Sequence, residues 1–183
     1  MADVSVRPAV SADVDEIARI QIETWRTAYA NVLPPSVLDS LDVATAEPAW
    51  NQAVTAPPTP QHRVLVALEQ EWHVGFVALG LESDADGAEG GTADGTPTAS
   101  IVALLVEPRW GRRGHGSRLL AAAVDHVRGD GVTRLVTWIP ESDTASRDFY
   151  VSAGWAPDGL ARALDTGDGE LREIRLHASL DGE

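Results

Sequence analysis

The sequence contains no cysteine and no lysine. Without cysteine these residues can form no disulfide, no thiolate metal site and no cysteine nucleophile. All 14 basic residues are therefore arginine, and together with 28 acidic residues they give a formal net charge of −14. Because a chain with this charge repels polyanions and anionic surfaces, we expect neither nucleic acid nor membrane as a partner.

The sequence also lacks a long apolar run. None of its apolar stretches approaches the roughly 20 residues that span a bilayer. The first residues lack the basic region and apolar segment of a secretory signal, so we expect a cytoplasmic protein. A length of 183 residues suits one packed domain, which we place at 1–183. Whether two copies form a homodimer is left open.

Hydrophobic periodicity predicts a mixed α/β domain. Alternation or short apolar runs indicate the strands, and apolar residues that recur every three or four positions indicate the helices. The predicted order is β-α-α-β-β-β-α-β-α-β-β. The strands are placed at 4–9, 62–68, 72–81, 99–106, 134–139, 160–165 and 170–178, and the helices at 13–34, 36–41, 116–128 and 143–153.

Two neighbouring segments differ sharply in composition. Residues 83–97 are rich in Gly, Asp and Ala and contain no large apolar residue. Such a segment buries too little surface to offset its ordering entropy, so we predict a flexible insertion between antiparallel strands. Whether it serves as a lid is left open. Residues 99–106, in contrast, form an apolar run, which predicts a strand that is covered on both faces.

The arginines are concentrated in one place. Arg109, Arg112, Arg113 and Arg118 fall within the segment LLVEPRWGRRGHGSRLL at 104–120. Glycines in the same segment allow the backbone to approach a ligand closely, and the following helix directs free N–H groups and a positive dipole end at that ligand. The pattern therefore predicts a phosphate-binding loop, with arginine contacts beside it.

Two common phosphate loops do not fit this segment. A dinucleotide fingerprint needs a third glycine at the position of Leu119, and a P-loop needs a lysine. The run Gly111-Arg112-Arg113-Gly114-His115-Gly116 instead resembles the acyl-CoA loop of the GNAT superfamily, Q/R-x-x-G-x-G/A. It departs from that loop at Gly111, where the family usually has Gln or Arg.

A second motif supports the resemblance to the GNAT family. That family carries Asn-x-x-Ala-x-x-apolar-Tyr, followed by Gly and an aromatic residue. Here Asp143 stands for the Asn and Ser146 for the Ala, whereas four positions match the pattern. These four are Phe149, Tyr150, Gly154 and Trp155.

The resemblance implies a GNAT-like fold, with a mostly antiparallel central sheet flanked by helices. It also implies an N-acetyltransferase that moves an acetyl group from acetyl-CoA to a primary amine of a small molecule or peptide. Tyr150 takes the family's role of general acid toward the sulfur of CoA. The residues that the resemblance assigns to acetyl-CoA are Leu104, Leu105, Val106, Gly111, Arg112, Arg113, Gly114, His115, Gly116, Ser117 and Asp143.

The acceptor side is less defined by the sequence. The resemblance places the first helix beside the acceptor, which makes Glu23, Trp25 and Tyr29 candidate substrate-side residues, but no general base stands out. His115 is expected to pack or to bind solvent. No histidines have metal-ligand spacing, so we expect no metal. The alternative to an enzyme is a GNAT-fold protein that binds acyl-CoA without turnover, as a sensor or assembly subunit.

Overall fold

The computed structural model describes residues 4–82, 95–167 and 169–180. Most of the predicted flexible insertion, residues 83–94, therefore lies outside the described residues. The last residues of that prediction are described, and the carbonyl of Pro97 accepts hydrogen bonds from the N–H groups of Thr133 and Arg134.

One sheet forms the centre of the described part of the chain. Its seven strands have the order β1-β2-β3-β4-β5-β7-β6, and all neighbours are antiparallel except β4 and β5. The predicted mixed, mostly antiparallel fold is confirmed. The strands are β1 (Val4–Pro8), β2 (Arg63–Glu69), β3 (Trp72–Leu81), β4 (Thr98–Val106), β5 (Arg134–Pro140), β6 (Ala156–Asp165) and β7 (Glu170–Ser179). The α-helices are α1 (Val14–Ala28), α2 (Pro35–Ser40), α3 (Val43–Thr55), α4 (His115–Gly129) and α5 (Thr144–Ser152).

The chain before β2 contains one helix more than the sequence predicts. Helix α1 ends at Ala28 instead of near residue 34, and α3 is absent from the predicted order. Pro48 inside α3 weakens its helical pattern. Tertiary contacts stabilise this helix instead, since Trp50 packs edge-on against Phe76 at 4.9 Å and donates its indole N–H to Gln21 Oε1 at 2.7 Å.

Helices cover the two faces of the sheet with separate apolar clusters. On the face that we call the α1 face, Ile17 and Ile20 pack with Phe76 of β3. On the opposite face, the α4 face, Leu119 and Ala123 belong to a larger cluster. None of the described helices has the length and apolar character that crossing a membrane requires.

Strand β4 contributes to both faces because side chains alternate along a strand. Ala103 and Leu105 pack against the cluster of the α1 face. Leu104 and Val106 pack against the cluster of the α4 face. The end of β4 therefore presents side chains to both faces at one place in the sheet.

Strands β4 and β5 separate partway along their length. They pair over residues 98–101 and 134–137, and the described residues show no β4–β5 pairing beyond that point. Val102 forms a bulge here, because β3 pairs with Ile101 and Ala103 but passes over the residue between them. A bulge bends its strand, which accounts for the divergence. We call the resulting opening between β4 and β5 the split.

The split corrects one prediction about β4. The sequence predicts a strand that is covered on both faces, and this holds for residues 98–101, which are buried. Beyond them Val102 is 69% exposed, and residues 103–106 are half-buried. The apolar composition of this stretch thus serves a cavity wall as well as a core.

Candidate active site

A groove lies on the α4 face, where β4 ends and α4 begins. We call it the α4 groove, and its volume is about 430 Å³. Its floor comes from β4, its sides from the loop before α4 and from α5. The lining residues are Leu104, Val106, Trp110, Gly111, Arg112, Gly114, His115, Gly116, Ser117, Ala145, Ser146, Phe149 and Tyr150.

The first turn of α4 forms one end of this groove. Gly114 precedes the helix with φ 83°, a left-handed conformation that favours glycine. The first intrahelical bond runs from Arg118 N to Gly114 O. The N–H groups of His115, Gly116 and Ser117 therefore have no acceptor within the helix and can bind an anion together with the positive end of the helix dipole.

Gly116 allows close packing between α4 and α5 at the groove. A Cβ atom at this position would lie 3.3 Å from the Phe149 ring. A larger side chain would therefore fill the space in front of the helix N-terminus or push the two helices apart. The sequence motif requires a small residue here for this reason.

The predicted arginines do not all face the groove. Arg112 lines it. Arg113 instead stacks over Trp110, with 4.9 Å from its guanidinium carbon to the ring centroid, and pairs with Glu69 at 3.4 Å. Arg109 pairs with Glu107 at 2.8 Å. Arg112 is thus the predicted cofactor-binding arginine that the structure brings to the groove.

His115 forms part of the groove wall but is shielded from solvent. It is 1% exposed, and its Nε2 lies 2.9 Å from Glu69 Oε2, although the two atoms are not aligned for a hydrogen bond. Its ring also meets Trp110 edge-on. The sequence predicts that His115 packs or binds solvent, and in the structure it packs, because Trp110 and Glu69 cover the ring.

Two other residues predicted to bind the cofactor lie elsewhere. Asp143 is the N-cap of α5, where its carboxylate accepts from Ser146 N at 3.0 Å and from Ser146 Oγ at 2.7 Å. It does not line the groove. Leu105 points to the other face of the sheet, since it alternates with Leu104 and Val106.

A second cavity occupies the split. We call it the split cavity; its volume is about 270 Å³ and its walls are mainly apolar. Helices α1 and α2, the separated ends of β4 and β5, and the β6–β7 hairpin enclose it. The lining residues are Trp25, Tyr29, Leu33, Val37, Val102, Ala103, Leu104, Leu105, Thr137, Trp138, Ile139, Pro140, Ser146, Tyr150, Leu164, Leu171 and Glu173.

The split cavity contains two of the three residues that the sequence places on the substrate side. Trp25 and Tyr29 line it, with their ring centroids 6.1 Å apart. Glu23 does not, because it lies on an exposed part of α1 and pairs with Arg19 at 2.7 Å. The structure therefore corrects the placement of Glu23.

Tyr150 lies where the two cavities meet. Together with Leu104 and Ser146 it lines both the α4 groove and the split cavity. The ring is 4% exposed and packs between Phe149 and Trp155, at centroid distances of 5.1 and 4.9 Å. This packing fixes the phenol at a place that borders both cavities.

Burial shifts the pKa of both tyrosines in the same direction. It raises the pKa of Tyr150 well above its ordinary value, and a hydrogen bond with Thr137 opposes this shift only in part. Burial, with the negative charges of Asp143 and Glu173, raises the pKa of Tyr29 to about 12. Both phenols therefore keep their protons at neutral pH.

Strand β4 also supplies backbone donors. The N–H of Glu107 donates to the Val74 carbonyl of β3 at 2.9 Å. Because alternate residues of an antiparallel strand face the partner, the N–H groups of Leu104 and Val106 point away from β3 and toward the split. They can therefore polarise a carbonyl group that lies beside Tyr150.

Sequence reasoning missed three polar or aromatic residues of the split cavity, namely Thr137, Trp138 and Glu173. All three lie in strands, and the residue pattern of a strand indicates only which positions are buried and which alternate between its faces. Their role depends on the sheet order, which brings β7 beside β5. Among the residues that the structure describes, no three His, Cys, Asp or Glu side chains are grouped as a metal site would require.

The chain belongs to the acetyltransferase (GNAT) family, whose pattern matches residues 20–155. It is therefore an N-acetyltransferase by family and by fold, as the sequence motifs predict. A Bacillus subtilis (strain 168) protein described as the uncharacterized N-acetyltransferase YuaI is 26% identical over 176 residues, which cover 94% of this chain and 91% of that protein.

Solved structures share the fold at lower sequence identity. The PaiA N-acetyltransferase of Thermoplasma acidophilum, in complex with coenzyme A, superposes with a TM-score of 0.75 at 14% identity over 97% of this chain and 99% of its own. YncA of Salmonella typhimurium, in a structure with acetyl-CoA, gives a TM-score of 0.71 at 20% identity, over 98% of this chain and 95% of its own. The fold of this chain is thus that of known acetyltransferases.

The raised pKa values generate a prediction that alkaline titration can check. The chain has two tyrosines, and in an unfolded chain both would ionise near pH ~10. Because their folded pKa values are higher, they stabilise the fold below that pH, and this stability is lost as the pH rises further. We expect the tyrosinate absorbance to stay flat through pH ~10, Tyr29 to ionise near its folded pKa of about 12, and Tyr150 to ionise only together with unfolding, as followed by circular dichroism. Ionisation of both tyrosines near pH ~10 in the folded protein would contradict the assigned burial, and Tyr29→Phe isolates the contribution of Tyr150.

Proposed function

We propose that this protein transfers the acetyl group of acetyl-CoA, bound in the α4 groove, to a primary amine bound in the split cavity. One observation carries the proposal: Tyr150 lines both cavities and is the only ionisable side chain that does so among the described residues. A group-transfer enzyme needs its two substrates to meet at such a point.

The α4 groove fits the parts of acetyl-CoA. The free N–H groups at the start of α4 and the Arg112 side chain suit the pyrophosphate, because they combine backbone donors with a charge-assisted contact. The unpaired edge of β4 at Leu104 and Val106 suits the amide-bearing pantetheine arm, which can add to the sheet edge. The thioester then reaches Tyr150 at the inner end of the groove.

The chemistry follows from this placement. The uncharged amine nitrogen attacks the thioester carbonyl carbon, whose oxygen is polarised by the β4 N–H groups. The carbon–nitrogen bond forms and the carbon–sulfur bond breaks. The Tyr150 hydroxyl gives its proton to the departing sulfur. The surplus proton of the amine passes to solvent, and Tyr150 regains one proton from solvent, so the phenol is restored for the next turnover. Burial raises the pKa of the Tyr150 phenol, and it raises the pKa of a thiol at the same place. The phenol becomes a weaker acid, but the departing sulfur becomes a stronger proton acceptor.

The non-catalytic alternative has less support. It rests on the departures from the family motifs at Gly111 and Asp143 and on the absence of an identified general base. Asp143 caps α5 through its side chain, which is what an Asn at this position would also do. The departure therefore leaves the position of Tyr150 intact. The cytoplasmic location, the choice between a small-molecule and a peptide acceptor, and the homodimer stay predictions at this point.

Replacing Tyr150 with Phe tests its catalytic role. We expect the fold and acetyl-CoA affinity to be preserved, because the ring keeps its packing and the phosphates are held elsewhere. The acetylation rate should fall roughly 10²-fold, the usual contribution of a positioned general acid, and the loss should appear in kcat. The measurements are steady-state kinetics and a melting curve.

Tyr29→Phe is the matched variant, since it removes the other tyrosine hydroxyl from the same cavity without touching the α4 groove. Its effect on kcat should be clearly smaller than that of Tyr150→Phe. An equal loss in both variants, or a Tyr150→Phe enzyme at full rate, would show that Tyr150 is not the proton donor.

Replacing Gly116 with Val tests the α4 groove. A side chain here would meet Phe149 and fill the space before the helix N-terminus, so acetyl-CoA should bind at least tenfold more weakly, an energy of about 1.4 kcal/mol. Calorimetric titration gives the affinity. Gly129→Ala, near the other end of the same helix, is the control, because its new Cβ would meet nothing within 4 Å. Unchanged affinity in Gly116→Val would place the cofactor elsewhere.

A further inference from the structure

The split cavity contains a single charged side chain among its described lining residues, that of Glu173. This carboxylate is 12% exposed, and the remaining walls are apolar or neutral. A buried carboxylate is costly without a positive partner. Arg162 already pairs with one oxygen of Glu173, and the position of this carboxylate in a substrate cavity suits a second cation at the other oxygen.

Glu173 and Tyr150 lie on opposite faces of the sheet. Ile174, the neighbour of Glu173 in β7, packs with the cluster of the α4 face, to which Tyr150 also belongs. Because side chains alternate along a strand, Glu173 faces the α1 face. An acceptor that enters from the α1 face thus passes Glu173 first and reaches Tyr150 through the split.

Because Glu173 and Tyr150 lie on opposite faces, they contact two different groups of the acceptor. The nitrogen that attacks the thioester must be uncharged, and no charged side chain lines the Tyr150 end of the cavity in the described residues. Glu173 faces the other side of the sheet from Tyr150, so its carboxylate is placed to bind a different group of the acceptor from the nitrogen that reacts at Tyr150. We infer that the acceptor is a small amine with a second positive group, and that Glu173 binds this second group. The inference rests on the proposed function of the two cavities.

Arg162 shows that a cation fits beside Glu173. Its Nε lies 2.6 Å from Glu173 Oε2, and its guanidinium stacks over Trp138 at 4.3 Å from the ring centroid. No described residue forms a hydrogen bond or ion pair with Oε1 of Glu173. Arg162 is 44% exposed along its side chain, so it can share the carboxylate with an incoming ammonium group or release it.

The dimensions of the cavity favour a short aliphatic acceptor. A volume of about 270 Å³ lies just below the range of about 300–1,000 Å³ for small-molecule sites. Most of the other side chains that line the cavity are apolar, which suits a methylene chain between two amines. The net charge of −14 also attracts such dications over a distance.

Three probes of equal chain length test the inference: 1,5-diaminopentane, pentylamine and 6-aminohexanoate. They carry the same reacting amine and differ in whether the far end is positive, neutral or negative. We expect kcat/KM to fall in that order, with the diamine preferred over pentylamine by about tenfold, the usual contribution of one charge-assisted contact. In Glu173→Gln this preference should disappear, whereas the KM for acetyl-CoA should not change.

Two further variants separate recognition from stability. Glu170→Gln removes an exposed carboxylate from the same strand and should keep the full preference. Arg162→Gln breaks the same ion pair as Glu173→Gln but leaves the carboxylate free, so it should lower the KM for the diamine. If the pair served only the fold, both variants would destabilise the protein and shift this KM in the same direction, which would overturn the inference.

The outcomes also separate the inference from the proposed function. Equal rates for all three probes, preference for 6-aminohexanoate, or no transfer to any probe while acetyl-CoA binds would overturn the inference and leave the donor site in place. A protein that fails to bind acetyl-CoA would contradict the proposed function itself. Calorimetric titration of the CoA-saturated protein with each probe gives the same ranking without turnover.

Discussion

The separation of β4 from β5 is the constraint on which the site depends. In a fully paired sheet the two faces are isolated from each other, and each strand's N–H and C=O groups are used by its neighbours. The bulge at Val102 ends the pairing after four residues. The sheet then has an opening through which the α4 groove and the split cavity join, and the edge of β4 has donors that no strand occupies.

The surrounding elements stabilise this opening. Helix α5 holds Tyr150 between Phe149 and Trp155 and begins at the Asp143 cap, so the phenol is positioned by packing and by a helix start together. Thr137 donates to the Ile101 carbonyl at 3.0 Å where the strands part. The β6–β7 hairpin then closes the outer side of the cavity with Glu173. Each group that the chemistry uses is thus fixed by structure outside the opening.

Much of the donor side could be predicted from the sequence, because it is local. The glycines and arginines between residues 109 and 118 lie in one continuous stretch of the chain, and Tyr150 follows its helix cap at a fixed spacing. The acceptor side could not be predicted in this way. Thr137, Trp138 and Glu173 come from strands that are far apart in the sequence and become neighbours only in the folded sheet. Helix α3 escaped prediction for a related reason: contacts of Trp50 with β3 and α1 stabilise it rather than its own pattern. The placement of Arg113 depends on Trp110 and Glu69, which together hold its guanidinium.

The central claim is that donor and acceptor meet at Tyr150, and a crystal structure of the protein with coenzyme A tests it most directly. The account predicts that the pyrophosphate lies at the N–H groups of Gly116 and Ser117 and that the pantetheine arm follows β4. The sulfur should then lie within hydrogen-bonding reach of the Tyr150 hydroxyl, directly or through one water molecule. A sulfur on the α1 face away from Tyr150, or a coenzyme bound outside the α4 groove, would contradict the account.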